Sequence, residues 1–152
     1  MSTIALNKNP FQAYKTTSLT TATPGQLVLM LFDGVIRFCH QAERGFNIED
    51  PSEKNVQINA NILKARNIIL ELSNCLDHKQ GGDVSQNFLR LYEYCDRRLN
   101  EINMKKKPDG LKEVINHFSG LRSAWSTMLE RGGSPMSESE FTAWQNEAQH
   151  TS

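Results

Sequence analysis

Long runs of apolar residues spaced alternately four and three apart, each run opened by a helix cap, constrain this chain more than any other feature. Ile58, Ile62, Ala65, Ile69, Leu72 and Leu76 form one such run, and Phe88, Tyr92, Cys95, Leu99 and Ile102 form another, with Leu91 widening it. Leu111, Val114, Ile115, Phe118, Leu121, Trp125 and Met128 make a third, broader face. A 4-3 alternation puts one apolar stripe along an α-helix and favours shallow packing angles. Before these runs, Thr23-Pro24-Gly25-Gln26 supplies a capping hydroxyl, a proline at the first helical position and a glutamine at the third. Asp50-Pro51-Ser52-Glu53 repeats the pattern. Asp83 with Gln86 after Gly81-Gly82, and Pro108-Asp109, mark two further starts. Helix ends are expected near Phe46, His78, Met104 and Arg131. The expected fold is all-α, an antiparallel four-helix bundle, because short connections make consecutive helices antiparallel neighbours.

At 152 residues the chain has the length of one domain. The expected division is an N-terminal segment (1–22) capping the bundle, the bundle itself (23–131), and a flexible tail (132–152) containing a short helix. Gly34 falls inside the first helix, where glycine costs about 1 kcal/mol relative to alanine; close approach of a neighbouring helix is the expected compensation.

Charge and composition narrow the function. Seventeen basic residues balance 17 acidic ones, so no global field draws the chain to nucleic acid or anionic lipid. Lys105-Lys106-Lys107 runs into Pro108 and reads as a solvated loop. The longest unbroken apolar run, Leu27 to Phe32, is six residues, against about 20 needed to cross a bilayer. Met1 to Pro10 carries no secretory signal pattern, so a cytoplasmic location without membrane insertion is expected. Cys39, Cys75 and Cys95 are widely spaced and on or beside apolar registers, which predicts buried free thiols.

The chemistry of an enzyme is not legible. Glu147-x-x-His150 is the sole glutamate–histidine pair at the spacing used by di-iron bundles, and no Gly-rich phosphate loop is present. Asp33 and Arg37 read as an ion pair within one helix, and Asp96-Arg97-Arg98 as a polar face. No catalytic residue, metal ligand or cofactor is expected.

What the sequence has in surplus is apolar surface. Val56, Leu63 and Leu70 repeat every seventh residue on the second helix, about 120–160° from its core stripe. The first helix carries two stripes: Val28, Leu31, Phe32, Val35 and Cys39, and beside them Leu27, Met30, Gly34 and Phe38. Phe11 and Tyr14 stand three apart in the N-terminal segment. In the tail, Ser137-Glu138-Ser139-Glu140 forms a further capping box ahead of Phe141, Trp144 and Ala148. Such residues either lie beneath the terminal segments or a second copy of the chain, or form a groove for a partner's amphipathic helix. The expected partner-binding residues are Phe11, Tyr14, Leu27, Met30, Val56, Leu63 and Leu70.

Several segments together resemble the flagellar secretion chaperone family, FliS. They are Asn9-Pro10-Phe11-x-x-Tyr14, Thr23-Pro24-x-x-Leu27-x-x-Met30-Leu31-Phe32-Asp33-Gly34, and Lys64-Ala65-x-x-Ile68-Ile69-x-x-Leu72. Gly81-Gly82-Asp83 leading to Leu91-Tyr92-x-Tyr94 and Arg98-Leu99 continues the order, as does Leu111-x-Glu113-Val114-x-x-x-Phe118-x-x-Leu121-Arg122-x-x-Trp125. The resemblance implies a helical bundle that binds the disordered C-terminal segment of flagellin in the cytoplasm. It also implies that the client's polymerisation surface stays covered until the flagellar type III export gate receives it. In that family the N-terminal segment lies near the client groove, which maps onto Phe11 and Tyr14; Phe11 stands where tyrosine is more usual. The rival readings are a bundle adaptor or client-free homodimer using the same apolar faces, and a cofactor-binding bundle.

Overall fold

The computed structural model describes residues 23–76 and 78–131, with backbone alone for 78–82 and 84. Four helices make up the described chain: α1 (Pro24–Gly45), α2 (Pro51–Asn74), α3 (His78–Lys105) and α4 (Leu111–Glu130). α1 packs on α2 and α4, and α3 packs on the same two, so the helices form a ring in chain order. This is the all-α bundle that the 4-3 spacings predict.

Local chemistry sets the starts. The Thr23 hydroxyl accepts from the Gln26 backbone N–H at 3.1 Å, and the Thr23 N–H donates to Gln26 Oε1 at 3.1 Å. The two bonds satisfy donors that the first turn of a helix otherwise leaves free. At α2 the Asp50 carboxylate accepts from the Glu53 N–H at 2.9 Å, with Pro51 at the first helical position.

Two boundaries differ from expectation. α2 ends at Asn74 rather than near His78, and α3 begins at His78, so Gly81-Gly82 lies inside α3 instead of ahead of it. Glycine weakens a helix by about 1 kcal/mol per residue but does not forbid one, and an early turn is retained at that cost. α4 starts at Leu111, after Gly110, rather than at Pro108-Asp109. Gly110 has φ 93°, a left-handed conformation, and a Cβ there would stand 2.0 Å from Arg98 Nη2. The left-handed backbone is what favours glycine here, since the guanidinium is the far end of a flexible side chain that can move aside.

The expected stripes supply the interior. Phe32, Val35 and Cys39 of α1 meet Ile58, Ile62, Ala65, Ile69 and Leu72 of α2, Tyr92, Cys95, Leu99 and Ile102 of α3, and Leu111, Val114 and Phe118 of α4. Leu76, Phe88, Leu91 and Trp125 pack at its margin, partly buried. Phe118 joins the halves: its ring lies 6.1 Å from Phe32 and stacks on Tyr92 at 6.1 Å. Trp125 meets Phe32 edge-on and donates its indole N–H to the Gly25 carbonyl at 2.8 Å. That bond places the C-terminal end of α4 beside the N-terminal end of α1.

Three polar or thiol assignments are corrected. Asp33 pairs with Arg122 of α4, not with Arg37 in its own helix. Arg37 instead lies over the Phe38 ring, 4.9 Å from its centre. Asp96 and Arg98 are not merely a solvated face; each joins α3 to a neighbouring helix, as described below. Cys39 and Cys95 are buried, but Cys75 is exposed, at the cap where α2 has just ended. Among the described residues no helix is long and apolar enough to cross a membrane.

Candidate functional site

The surplus apolar stripe on α2 is on the outside of the bundle. Val56 is 62% exposed, Leu63 42% and Leu70 61%. Their seven-residue spacing aligns them along one line of α2, because seven residues come close to two full turns. Beside that line α2 and α3 part to leave a groove of about 680 Å³. Leu63 and Leu70 form one apolar wall, Leu89 contributes from α3, and Ile69 and Tyr92 form the floor. Arg66, Glu93, Asp96 and Arg97 supply its charged edges.

A polar clamp fixes the groove's width. Arg66 Nε and Nη2 donate to the two Asp96 carboxylate oxygens at 2.8 and 3.2 Å, and Arg66 Nη1 donates to Asn100 Oδ1 at 2.9 Å. A two-pronged guanidinium–carboxylate contact fixes orientation as well as distance. Farther along, Asn103 Nδ2 donates to Asn59 Oδ1 at 2.8 Å. Side chains thus fasten the α2–α3 seam from Asn59–Asn103 to Arg66–Asp96, and the latter contact also lines the groove.

The other expected residues lie elsewhere. Leu27 and Met30 are half-buried on α1 and do not line this groove. Gly34 of the same stripe is buried against Ile68 of α2. Phe38 is half-buried, with Lys64 Nζ 5.4 Å from its ring centre, so cations of two helices cover it. Phe11 and Tyr14 lie outside the described residues. Sequence reading missed Leu89, which falls off the 4-3 stripe of α3, and it assigned Ile69 and Tyr92 to the core alone. It also missed Met104, 76% exposed on the outer side of α3.

A second polar cluster joins α3 to α4. The Tyr94 hydroxyl donates to both Glu113 oxygens at 2.8 and 2.9 Å, and Arg98 Nε approaches Glu113 at 3.4 Å. His117 packs edge-on to Tyr94, and burial holds its imidazole below the usual histidine range, against the pull of Glu113. The two buried thiols are chemically quiet. Burial, with a smaller push from Glu43, raises Cys39 to about 12, and burial likewise raises Cys95. A thiol held so far above neutrality stays protonated at pH 7 and is a poor nucleophile. Among the described residues no group of histidine, cysteine, aspartate and glutamate is arranged to hold a metal ion.

An open apolar groove framed by fixed polar contacts is suited to binding a peptide. Comparison with known proteins places the chain in a family. The family described as "Flagellar protein FliS" matches residues 7–132. The "Flagellar secretion chaperone FliS" of Bacillus subtilis is 35% identical over 123 residues, covering 81% of this chain and 88% of that protein. Proteins of the same name from Campylobacter jejuni and Vibrio cholerae are 32% and 31% identical, each across 78% of this chain and 90% and 87% of their own lengths. The chain belongs to the FliS family of flagellar proteins.

Proposed function

We propose that the protein binds the C-terminal segment of unassembled flagellin in the cytoplasm, keeps it from polymerising, and delivers it to the flagellar type III export gate. The observation that carries this reading is the α2–α3 groove with its exposed Leu63 and Leu70. A client that folds on binding gives up about 2–5 kcal/mol of ordering free energy, and at about 25 cal/mol per Å² roughly 80–200 Å² of apolar contact offsets that. The exposed leucines and the groove floor offer contact of this order. Leu27 and Met30 on α1, Val56 farther along α2, and Phe11 and Tyr14 ahead of α1 extend the client surface in this reading. No catalytic residue, cofactor or nucleic acid takes part, and release requires only a competing partner.

Calorimetric titration with a peptide from the flagellin C-terminus tests the proposal. One-to-one binding, micromolar or tighter, is expected. Absence of heat together with a stable dimer by light scattering would instead favour the second reading, in which Val56, Leu63 and Leu70 serve a homodimer.

A further inference from the structure

Charge balances over the whole chain, yet the outer face shared by α1 and α2 keeps one sign. From Lys54 to Leu70 α2 contains no aspartate or glutamate, and Glu53 and Glu71 lie just beyond the two ends. From Gly34 to Ala42 α1 contains none either. These stretches lie against each other: a Cβ on Gly34 would meet Ile68, and one on Gly45 would stand 3.2 Å from Ile58. Both helices bring cations to the seam. Arg37 of α1 and Lys64 of α2 converge on the Phe38 ring, 4.9 and 5.4 Å from its centre, and so lie within about 10 Å of each other. The close crossing causes the convergence, because Phe38 is one turn from Gly34 and Lys64 is one turn from Ile68. Lys54 stands 6.0 Å from the centre of the Phe46 ring, and Arg44 is exposed, seven residues beyond Arg37 on the same line of α1.

A cation on a helix commonly meets a carboxylate three or four residues away. Lys64 has only alanine, asparagine and isoleucine at those positions, and Arg44 has histidine, glutamine, asparagine and isoleucine. Asp33, one turn before Arg37, is taken by Arg122 of α4, and Glu43 pairs with His40. Among the described residues no carboxylate pairs with Arg37, Arg44, Lys54 or Lys64. A ring face attracts a cation but carries no net charge, so the surface stays positive.

We propose that the α1–α2 face docks an acidic helix of another protein, with one carboxylate between Arg37 and Lys64 and a second, seven residues along, on Arg44. Seven residues span about 10 Å on either helix, so the partner's spacing matches that of the two arginines. A peptide fits better than nucleic acid, since stacking bases need open ring faces and the Phe38 ring already carries two cations. With no net charge to steer a distant partner, recognition acts at contact. The face lies on the other flank of α2 from the α2–α3 groove, so the proposal stands apart from what that groove binds.

The probe is an alanine-based helical peptide of about four turns with two glutamates seven residues apart, titrated into the full chain and followed by amide NMR shifts. Saturable shifts in α1 from Gly34 to Gly45 and in α2 from Lys54 to Ile68 are expected. Replacing both glutamates by glutamine should weaken binding at least about tenfold, and so should Arg37→Glu/Lys64→Glu in the protein. That variant should prefer the peptide whose first glutamate is lysine, a reversal that general damage to the fold does not produce. Should it fail to fold by circular dichroism, Arg37→Gln/Lys64→Gln serves instead, with a loss of about threefold or more expected. Absence of shifts, shifts around Leu70 and Leu89 instead, or equal binding of the glutamine peptide would overturn the proposal. Binding to phosphatidylserine vesicles that the charge reversal abolishes, with no peptide binding, would overturn it in favour of a lipid surface.

Discussion

Gly34 of α1 and Ile68 of α2 sit so close that a Cβ on Gly34 would be 2.8 Å from Ile68 Cδ1. Ile68 is fully buried, so its end methyl has little freedom to yield. Gly34→Ala therefore sets a helix-propensity gain of about 1 kcal/mol against an overpacking cost of about 1–3 kcal/mol. Removing the obstructing methyl relieves the second effect alone. In a double-mutant cycle followed by urea unfolding, Gly34→Ala combined with Ile68→Val should be more stable than the sum of the single changes by about 0.5–2 kcal/mol. Strict additivity would mean that the two helices separate easily at this crossing.

Leu63 and Ile69 are six residues apart on α2 and differ in exposure, 42% against 2%. Leu63→Asp places a carboxylate where solvent already reaches, so thermal unfolding should shift little. Binding of the flagellin peptide should weaken at least tenfold, about 1.4 kcal/mol, because the leucine contact is lost and the carboxylate must be desolvated. Ile69→Asp buries an unpaired charge in the core and should abolish cooperative unfolding by circular dichroism. Equal loss of fold in both variants would move Leu63 into the core.

Much of this was readable before the structure because the relevant signals are local. Thr23 with Gln26, and the 4-3 stripes, act within one or two turns, and the exposed 56–63–70 line follows from helix periodicity alone. What was misread depends on partners distant in sequence. Asp33 has Arg37 one turn away, but Arg122 on α4 comes closer in space, and nothing within α1 reveals it. Gly81-Gly82 looked like a break because glycine is a weak helix former. The competing signal was Asp77 with Gln80, the residue types of a capping box, at the point where α3 begins. Leu89 was missed since its role depends on how far α2 and α3 part, a tertiary quantity.

The thiols give a chemical check on the bundle. Cys75 is exposed while Cys39 and Cys95 are buried and held protonated. Reaction rate follows thiolate fraction and access, so an aromatic disulfide reagent at neutral pH should titrate one thiol quickly in the native protein. The remaining two should react only in denaturant, at the rate of global unfolding. Mass spectrometry of the native adduct should locate the label at Cys75, and labelling of Cys95 under native conditions would mean that the α3 core stripe opens.

His117 gives the fold a predictable dependence on acid. Its imidazole is largely buried between α3 and α4 beside Tyr94 and Glu113, and burial lowers its proton affinity more than Glu113 raises it. The folded protein thus holds this histidine neutral at pH values where the unfolded chain, with a pKa near 6.5, begins to protonate it. Stability associated with the neutral ring is complete above about pH 6.5 and is lost as pH falls from there through the lower folded value. His117→Gln removes the titration while keeping a polar group of similar reach. Urea unfolding of both proteins at pH 7.5 and 5.5 should show the unaltered protein losing more stability on acidification than the variant. If the variant instead loses more, the Glu113 contact outweighs burial, and protonated His117 fastens α3 to α4.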